Sequence, residues 1–107
     1  MAHKIVWSPQ ALEDIDSIAD YIARDSEMYA VSVAQSLFEA PAKLLEFPLL
    51  GRVIPESQTE SMREIFVHDY RVMYEIAGNE IHILTIVHGK RDFREDMIQP
   101  DDSANSR

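Results

Sequence analysis

The pattern of hydrophobic positions begins with a short β-type run from His3 to Trp7 and changes to helical spacing directly after it. Ser8 followed by Pro9 is typical of a helix start, because serine caps free backbone N–H groups and proline suits the first helical turn. Apolar residues then recur every three or four positions, as on one face of a helix. They are Leu12, Ile15, Ile18, Ala19 and Ile22. We therefore expect a strand and then a first helix from about Pro9 to Arg24.

A second helical pattern follows after a short link. Asp25-Ser26 offers an N-cap, and apolar positions continue along one face of the helix. We expect this helix to reach Glu46 or Phe47 and to end at Pro48. Pro41 lies inside it and should kink it, because proline removes one backbone donor. The short link between the two helices predicts an antiparallel helical hairpin.

The pattern changes to strand-type alternation in the second half of the chain. Arg63–Val67, Tyr70–Ile76 and Glu80–His88 have the composition of strands, and Gly78-Asn79 is a two-residue hairpin signal that demands positive φ.

The last predicted strand is apolar on both faces. Ile81, Ile83 and Val87 alternate with Leu84 and Ile86. A strand of this kind belongs in the middle of a sheet, and the N-terminal strand is its natural neighbour. The predicted fold class is therefore α+β in the order β-α-α-β-β-β, with an antiparallel-rich sheet packed against a two-helix hairpin.

Length and composition predict one cytoplasmic domain. The 107 residues suffice for one core, and we place the domain at residues 1–99 with a flexible polar tail at 100–107. A hydrophobic content of 46% supports a packed interior. The chain has no cysteine, no apolar run of about 18 residues and no signal-peptide pattern, so we expect neither a disulfide nor a membrane partner.

The net charge of -9 weighs against nonspecific nucleic-acid binding. Up to Leu50 there are three basic and eight acidic residues, whereas Gly51 to Gln99 holds six basic and nine acidic ones. This distribution is compatible with a local cationic face, and equally with charged side chains that are spread over the surface and keep the protein soluble. The four histidines show no metal-ligand spacing and no Gly-rich phosphate loop is present, so we predict neither a metal nor a cofactor.

Four sequence blocks carry a family resemblance. They are Gly51–Glu56, Arg63–Val67, Tyr70–Tyr74 and Val87–Phe93. With Trp7-Ser8-Pro9, their order and spacing resemble the ParE/RelE superfamily of bacterial toxins from type II toxin–antitoxin pairs, closest to the ParE branch. The resemblance covers about the first 93 of 107 residues. It implies a cognate antitoxin that covers apolar strips of the toxin, and contact with operator DNA only through that antitoxin.

The resemblance implies two alternative targets. Relatives of the ParE type inhibit DNA gyrase and so block replication, and we favour this function, which makes the chain a non-enzymatic toxin. The alternative is a RelE-type endoribonuclease that cleaves mRNA on the ribosome. A third alternative is a degenerate toxin-like domain that persists only as a complex partner.

Three residues match catalytic positions if the chain is a nuclease. Glu56 would be the general base, Arg71 would hold the scissile phosphate, and His88 would protonate the leaving oxygen. Arg71 could instead be a surface residue paired with Glu64 or Glu75, and the other two could be solvated or structural. The resemblance also implies a late tyrosine in the nucleases. No tyrosine follows Tyr74, which counts against catalysis.

Two groups of residues are candidates for partner binding. The basic end formed by Lys90, Arg91 and Arg94 suits an acidic partner, although a solvated charge run is an alternative. The apolar stripe of the first helix offers contacts for the antitoxin through Leu12, Ile15 and Ile22. Arg52 and Arg63 should have a structural task, tying the loop before the sheet to nearby carboxylates.

Overall fold

The computed structural model describes residues 2 and 4–90. His3, Arg91, Arg94 and the predicted 100–107 tail lie outside the described residues.

Within this range, two helices pack on one face of a five-stranded sheet. In chain order the elements are β1 (Lys4–Trp7), α1 (Pro9–Ala23), α2 (Glu27–Glu39), β2 (Arg52–Val53), β3 (Met62–Val67), β4 (Tyr70–Ala77) and β5 (Glu80–His88). The strand order is β1-β5-β4-β3-β2; β1 runs parallel to β5 and every other pair is antiparallel. The predicted α+β class and the interior place of β5 beside β1 are confirmed, with β2 as an additional short strand.

Both predicted helix starts are confirmed by their caps. The Ser8 hydroxyl accepts a hydrogen bond from the Ala11 N–H at 3.0 Å, and the Ser26 hydroxyl accepts one from the Tyr29 N–H at 3.1 Å. Ser8 also donates to the Leu84 carbonyl at 2.8 Å, so the same residue fixes α1 to β5.

The predicted length of the second helix is wrong. α2 ends at Glu39, and the chain continues as a 3₁₀ helix, Ala40–Leu45, and a second short one, Pro48–Leu50. Pro41 is the physical reason, because it has no N–H for the Leu37 carbonyl and its ring crowds that group. Instead of kinking a long helix, Pro41 occupies a buried place in the first turn of the 3₁₀ helix, where its missing donor costs little.

The main core lies between the helices and the sheet. Its buried members are Ala11, Ile15, Val33, Leu37, Leu44, Ile65, Val72, Tyr74, Ile81, Ile83 and Ile86. A smaller cluster of Ile54, Met73 and Val87 lies on the other face of the sheet, with Met62 packed against it. The sheet is therefore apolar on both faces at its centre.

A β-bulge changes the alternation predicted for β5. Met73 pairs with Thr85 and Tyr74 pairs with Ile83, so Leu84 is an extra residue in β5. Ile86 consequently joins Ile81 and Ile83 on the helix side, and Val87 lies on the opposite face. The predicted assignment of Ile86 and Val87 to faces is therefore wrong, because it assumed an unbroken period of two.

Asp14 connects α1 to β5 just beyond the end of β1. Its Oδ2 accepts a hydrogen bond from the Thr85 hydroxyl at 2.6 Å and another from the Ile86 N–H at 2.9 Å. The β1 register ends at Trp7 opposite Ile83, so Asp14 supplies the acceptor that a longer β1 would have provided.

Candidate functional site

Arg71 lies at the centre of a buried ion-pair network on the sheet face away from the helices. Its side chain is 4% exposed. Its Nε donates to Glu64 Oε1 at 2.7 Å, while Nη1 and Nη2 donate to the two oxygens of Glu56 at 3.1 and 2.8 Å. The hydrogen bonds that Arg71 donates to Glu56, and then those to Glu64, raise the pKa of Arg71 above its ordinary value. The guanidinium is therefore a charged group held between two carboxylates.

Glu64 extends this network to a second arginine. Its side chain is fully buried, and its Oε2 accepts a hydrogen bond from Arg52 Nε at 2.6 Å. The predicted pairing of Arg71 with Glu64 is confirmed, but the pair is buried and not at the surface. Two arginines and two glutamates (Arg52, Arg71, Glu56 and Glu64) thus form a network without net formal charge.

A compact turn carries Glu56 to Arg71. The buried Ile54 anchors it, because the Ile54 N–H donates to the Met62 carbonyl at 3.0 Å. The Ile54 carbonyl in turn accepts from the N–H groups of Ser57 and Gln58 at 3.1 and 2.9 Å. Gln58 has a φ of 58°, the left-handed conformation that reverses the chain. The Pro55-Glu56 pair is therefore held in a defined position over the sheet.

Gly51 and Tyr74 fix the segment that leads into β2. The Tyr74 hydroxyl donates to the Pro48 carbonyl at 2.7 Å and accepts from the Gly51 N–H at 2.9 Å. A Cβ atom at Gly51 would lie 2.5 Å from the Glu64 carbonyl oxygen, so only glycine fits this close approach. Burial raises the pKa of Tyr74, which keeps its hydroxyl protonated as a donor.

The structural roles predicted for Arg52 and Arg63 are partly correct. Arg52 binds the Glu64 carboxylate. Arg63 instead donates to backbone carbonyls, from Nη1 to Gly51 at 2.9 Å and from Nε to Glu60 at 3.0 Å. The prediction of a carboxylate partner for Arg63 is wrong, because the loop before the sheet presents carbonyl groups to its guanidinium.

His88 lies on the other face of the sheet from Arg71. The β4–β5 register pairs Arg71 with Val87 and Tyr70 with His88, and successive side chains of a strand point to opposite faces. The His88 ring contacts the Tyr70 ring at 5.7 Å between centroids, and its Nδ1 accepts from the Lys90 N–H at 3.2 Å. Of the three candidate catalytic residues, the structure brings Glu56 and Arg71 together and leaves His88 apart.

The candidate partner-binding residues differ in their exposure to solvent. Ile15 is 1% exposed in the main core, so the prediction that it contacts a partner is wrong in this conformation, whereas Ile22 is only partly buried against that core and its contact with a partner stays a prediction. Their side chains face the sheet because the regular apolar spacing marks the core face of α1. Leu12 is 42% exposed and Lys90 is exposed, so both are accessible.

The structure has a groove between α1 and α2 that we did not predict from the sequence. It has a volume of about 670 Å³ and a predominantly apolar lining. Its lining residues are Ala19, Asp20, Ala23, Glu27, Ala30, Val31, Ala34, Gln35, Phe38 and Glu39. The available signal was the repeated alanine, because small side chains on two facing helices leave a channel between them.

Residues 2 and 4–90 offer neither a metal-binding cluster nor a membrane-spanning helix. They contain no group of three or more His, Asp or Glu side chains positioned to hold a metal ion. None of their helices has the length and apolar character needed to cross a membrane.

Comparison with known proteins identifies the family. Residues 5–93 match the family model described as ParE toxin of the type II toxin–antitoxin system parDE. The chain is 35% identical over 89 residues to Toxin RelE2 of Caulobacter vibrioides, covering 82% of this chain and 97% of that protein.

Two solved structures share the fold. The chromosomal ParDE toxin–antitoxin system of P. aeruginosa matches with a TM-score of 0.67 at 24% identity, over 82% of this chain and 96% of that one. The YoeB–YefM complex of Staphylococcus aureus matches with a TM-score of 0.50 at 17% identity, over 82% and 97%. The sheet, the helical hairpin and the family match agree: the chain belongs to the ParE/RelE superfamily and is the toxin component of a type II toxin–antitoxin system.

Proposed function

We propose that this toxin acts by binding DNA gyrase and inhibiting replication, without catalysing a reaction. The observation that carries the proposal is the state of Arg71, whose side chain is 4% exposed and whose guanidinium is bound by Glu56 and Glu64. A nuclease of this fold would use that guanidinium to hold a phosphate. Here a phosphate would first have to displace a carboxylate that binds Arg71 through two hydrogen bonds.

The separation of His88 from this network supports the same proposal. General acid catalysis requires the acid within hydrogen-bond reach of the leaving oxygen, directly or through one water. Arg71 in β4 and His88 in β5 lie on opposite faces of the sheet. One phosphodiester on the open face therefore cannot contact both side chains unless the end of β5 changes its conformation. The three residues predicted as base, phosphate holder and acid are therefore not assembled into one site in this conformation.

One observation favours the endoribonuclease as the second candidate. Glu56 Oε1 lies 2.8 Å from Arg71 Nη2, so a carboxylate and a guanidinium are adjacent on the open face of the sheet. If ribosome binding displaced Glu56 from Arg71, the carboxylate could serve as base and the guanidinium could hold the phosphate. This candidate needs a rearrangement that the gyrase proposal does not.

Paired assays on the purified chain distinguish the two candidates. We expect inhibition of plasmid supercoiling by gyrase, reversed by the cognate antitoxin, and intact mRNA in a reconstituted translation reaction. Cleaved mRNA together with unaffected supercoiling would establish the endoribonuclease instead. A chain that neither inhibits gyrase nor cleaves mRNA would support the degenerate toxin-like domain.

The antitoxin, in this proposal, lays an amphipathic helix into the groove between α1 and α2. The alanine-rich floor accepts an apolar helix face, and Asp20, Glu27 and Glu39 at its margins suit basic flanking residues. Operator DNA is contacted through the antitoxin and not by the toxin, in keeping with the toxin's charge of -9.

Two substitutions in the same helix test the groove. Val31 lines it and is 65% exposed, whereas Met28 is 85% exposed and does not line it. We expect Val31→Glu to weaken antitoxin binding by about tenfold or more, because it places a charge against an apolar surface, and Met28→Glu to leave binding within about twofold. Titration calorimetry with the purified antitoxin measures both. Equal effects of the two substitutions would exclude the groove as the docking site.

A further inference from the structure

Two carboxylates bind Arg71, and they differ in their exposure to solvent. The Glu64 side chain is fully buried, whereas the Glu56 side chain is 28% exposed. Of the two, Glu56 is therefore the one that lies toward solvent. Each of its oxygens accepts a hydrogen bond from one terminal nitrogen of Arg71, at 3.1 and 2.8 Å. A guanidinium binds two oxygens of a phosphate group through the same pair of parallel hydrogen bonds.

The charges around Glu64 do not cancel without Glu56. One oxygen of Glu64 accepts from Arg52 Nε at 2.6 Å and the other from Arg71 Nε at 2.7 Å, so one buried carboxylate is shared by two guanidinium groups. Two positive charges and one negative charge leave a formal charge of +1, which Glu56 brings to zero. The place that the Glu56 carboxylate occupies is therefore complementary to an oxyanion.

The turn that carries Glu56 has anchors other than the Glu56 side chain. Ile54 makes three backbone hydrogen bonds within this loop, and its side chain is fully buried. These contacts fix the main chain of the turn on the sheet. Shortening the side chain of Glu56 should therefore open a space over the Arg71 guanidinium and leave the turn in place.

We propose that Glu56 is the internal ligand of an oxyanion site formed by Arg71 and Arg52, and that it keeps phosphate groups out of this site. An internal carboxylate competes well, because a short tether gives it an effective concentration in about the millimolar range. The inference goes beyond the proposed function, since it concerns a ligand that the toxin excludes. A toxin that acts on a protein gains specificity when its guanidinium groups are closed to the phosphates of nucleic acids.

The test removes the internal ligand and measures the binding of inorganic phosphate. Glu56→Ala opens the site, and Glu60→Ala is the matched control, because it removes the same charge from an exposed residue of the same loop. A double variant, Glu56→Ala with Arg71→Lys, keeps the positive charge but loses the planar guanidinium. Phosphate is titrated at constant ionic strength into each purified chain, and the backbone amide signals are followed by NMR spectroscopy, which also shows that the chain is folded.

We expect saturable changes around Arg71 in Glu56→Ala, with a dissociation constant of about 1–5 mM. The wild-type chain and Glu60→Ala should bind phosphate at least about tenfold more weakly. The double variant should also bind about tenfold more weakly than Glu56→Ala, because lysine offers phosphate a point charge without the paired donors. Phosphate binding by Glu56→Ala no tighter than by the wild-type chain would overturn the inference, and so would an equal gain in Glu60→Ala.

Glu56→Gln provides a second variant that preserves the length of the side chain. It removes the negative charge that repels phosphate, and we expect phosphate binding between that of the wild-type chain and that of Glu56→Ala. If Glu56→Ala does not fold, a folded Glu56→Gln chain that binds phosphate no better than the wild-type chain overturns the inference.

A labelled single-stranded RNA, followed by fluorescence anisotropy, distinguishes two sources of the excluded phosphate. RNA binding by Glu56→Ala and not by the wild-type chain would support the inference and identify nucleic acid as the excluded ligand. Binding of inorganic phosphate alone would support a site that admits only small free anions. Neither measurement uses gyrase, so the outcome is independent of the proposed function.

Discussion

The substitution Glu64→Gln removes one negative charge from the centre of the ion-pair network while preserving the size of the side chain. Glu64 is fully buried, and each of its oxygens accepts a hydrogen bond from an arginine, at 2.6 Å from Arg52 and at 2.7 Å from Arg71. Glutamine keeps one acceptor and turns an NH₂ group toward the other arginine. Two donors then face each other in a buried place, and we expect a large loss of stability.

The magnitude follows from what remains around Arg71. Removing one partner of a buried ion pair costs about 3–5 kcal/mol, mostly because the other charge stays buried without compensation. Glu56 still neutralises Arg71 in the variant, so we expect about 3 kcal/mol, the lower end of this range. This is a large fraction of the roughly 5–15 kcal/mol that stabilises a domain.

Urea unfolding followed by the fluorescence of Trp7 measures the free energy of unfolding. Glu56→Gln is the matched control, because it removes the same charge from a side chain that is 28% exposed, and we expect a loss of about 1 kcal/mol. The reasoning is refuted if Glu64→Gln destabilises the chain no more than Glu56→Gln does.

Three further substitutions test other contacts by the same unfolding measurement. Thr85→Val removes the hydroxyl that donates to Asp14 at 2.6 Å and should cost about 2 kcal/mol; a variant as stable as the wild type would show that this bond contributes nothing net. Gly51→Ala places a Cβ atom 2.5 Å from the Glu64 carbonyl oxygen and should cost about 2–3 kcal/mol; no loss would mean that the backbone can shift there. Burial raises the pKa of Tyr74 above 10.0, so above that pH the unfolded chain loses its proton first and stability falls as pH rises. Tyr74→Phe should reduce the fall in unfolding temperature between about pH 9 and about pH 11, and an identical fall in both proteins would contradict this assignment.

The helices and their starts were predictable because local chemistry determines them. Ser8 and Ser26 cap the helices at the expected places, and the apolar stripe of α1 faces the sheet. The error at the end of the second helix also has a local cause, since Pro41 permits either a kinked α-helix or a 3₁₀ helix and tertiary packing selects between them.

Features that depend on pairing between distant strands were less predictable. A single extra residue, Leu84, moved Ile86 and Val87 to faces opposite to those expected from alternation. Nothing in the residue types around Leu84 distinguishes a bulge from a regular strand. The register of β5 against β4 decides the outcome, and that register is a tertiary property.

The candidate site was predictable in its members but not in its connections. Arg71 was predicted either to hold a phosphate or to pair with Glu64 or Glu75, and its contact with Glu64 follows from the neighbouring strands. Its simultaneous contact with Glu56 depends on a turn anchored by Ile54, which sequence spacing does not reveal. The placement of His88 on the opposite face requires the strand register.

The central claim is that toxicity arises from protein binding and not from chemistry at the Glu56–Arg71 pair. The most direct measurement is the inhibition of gyrase supercoiling by Glu56→Gln, which removes the only side chain proposed as a general base. We expect the variant to inhibit gyrase at the same concentration as the wild-type chain and to arrest growth equally. A folded Glu56→Gln variant that has lost its toxicity would contradict the account and would favour RNA cleavage.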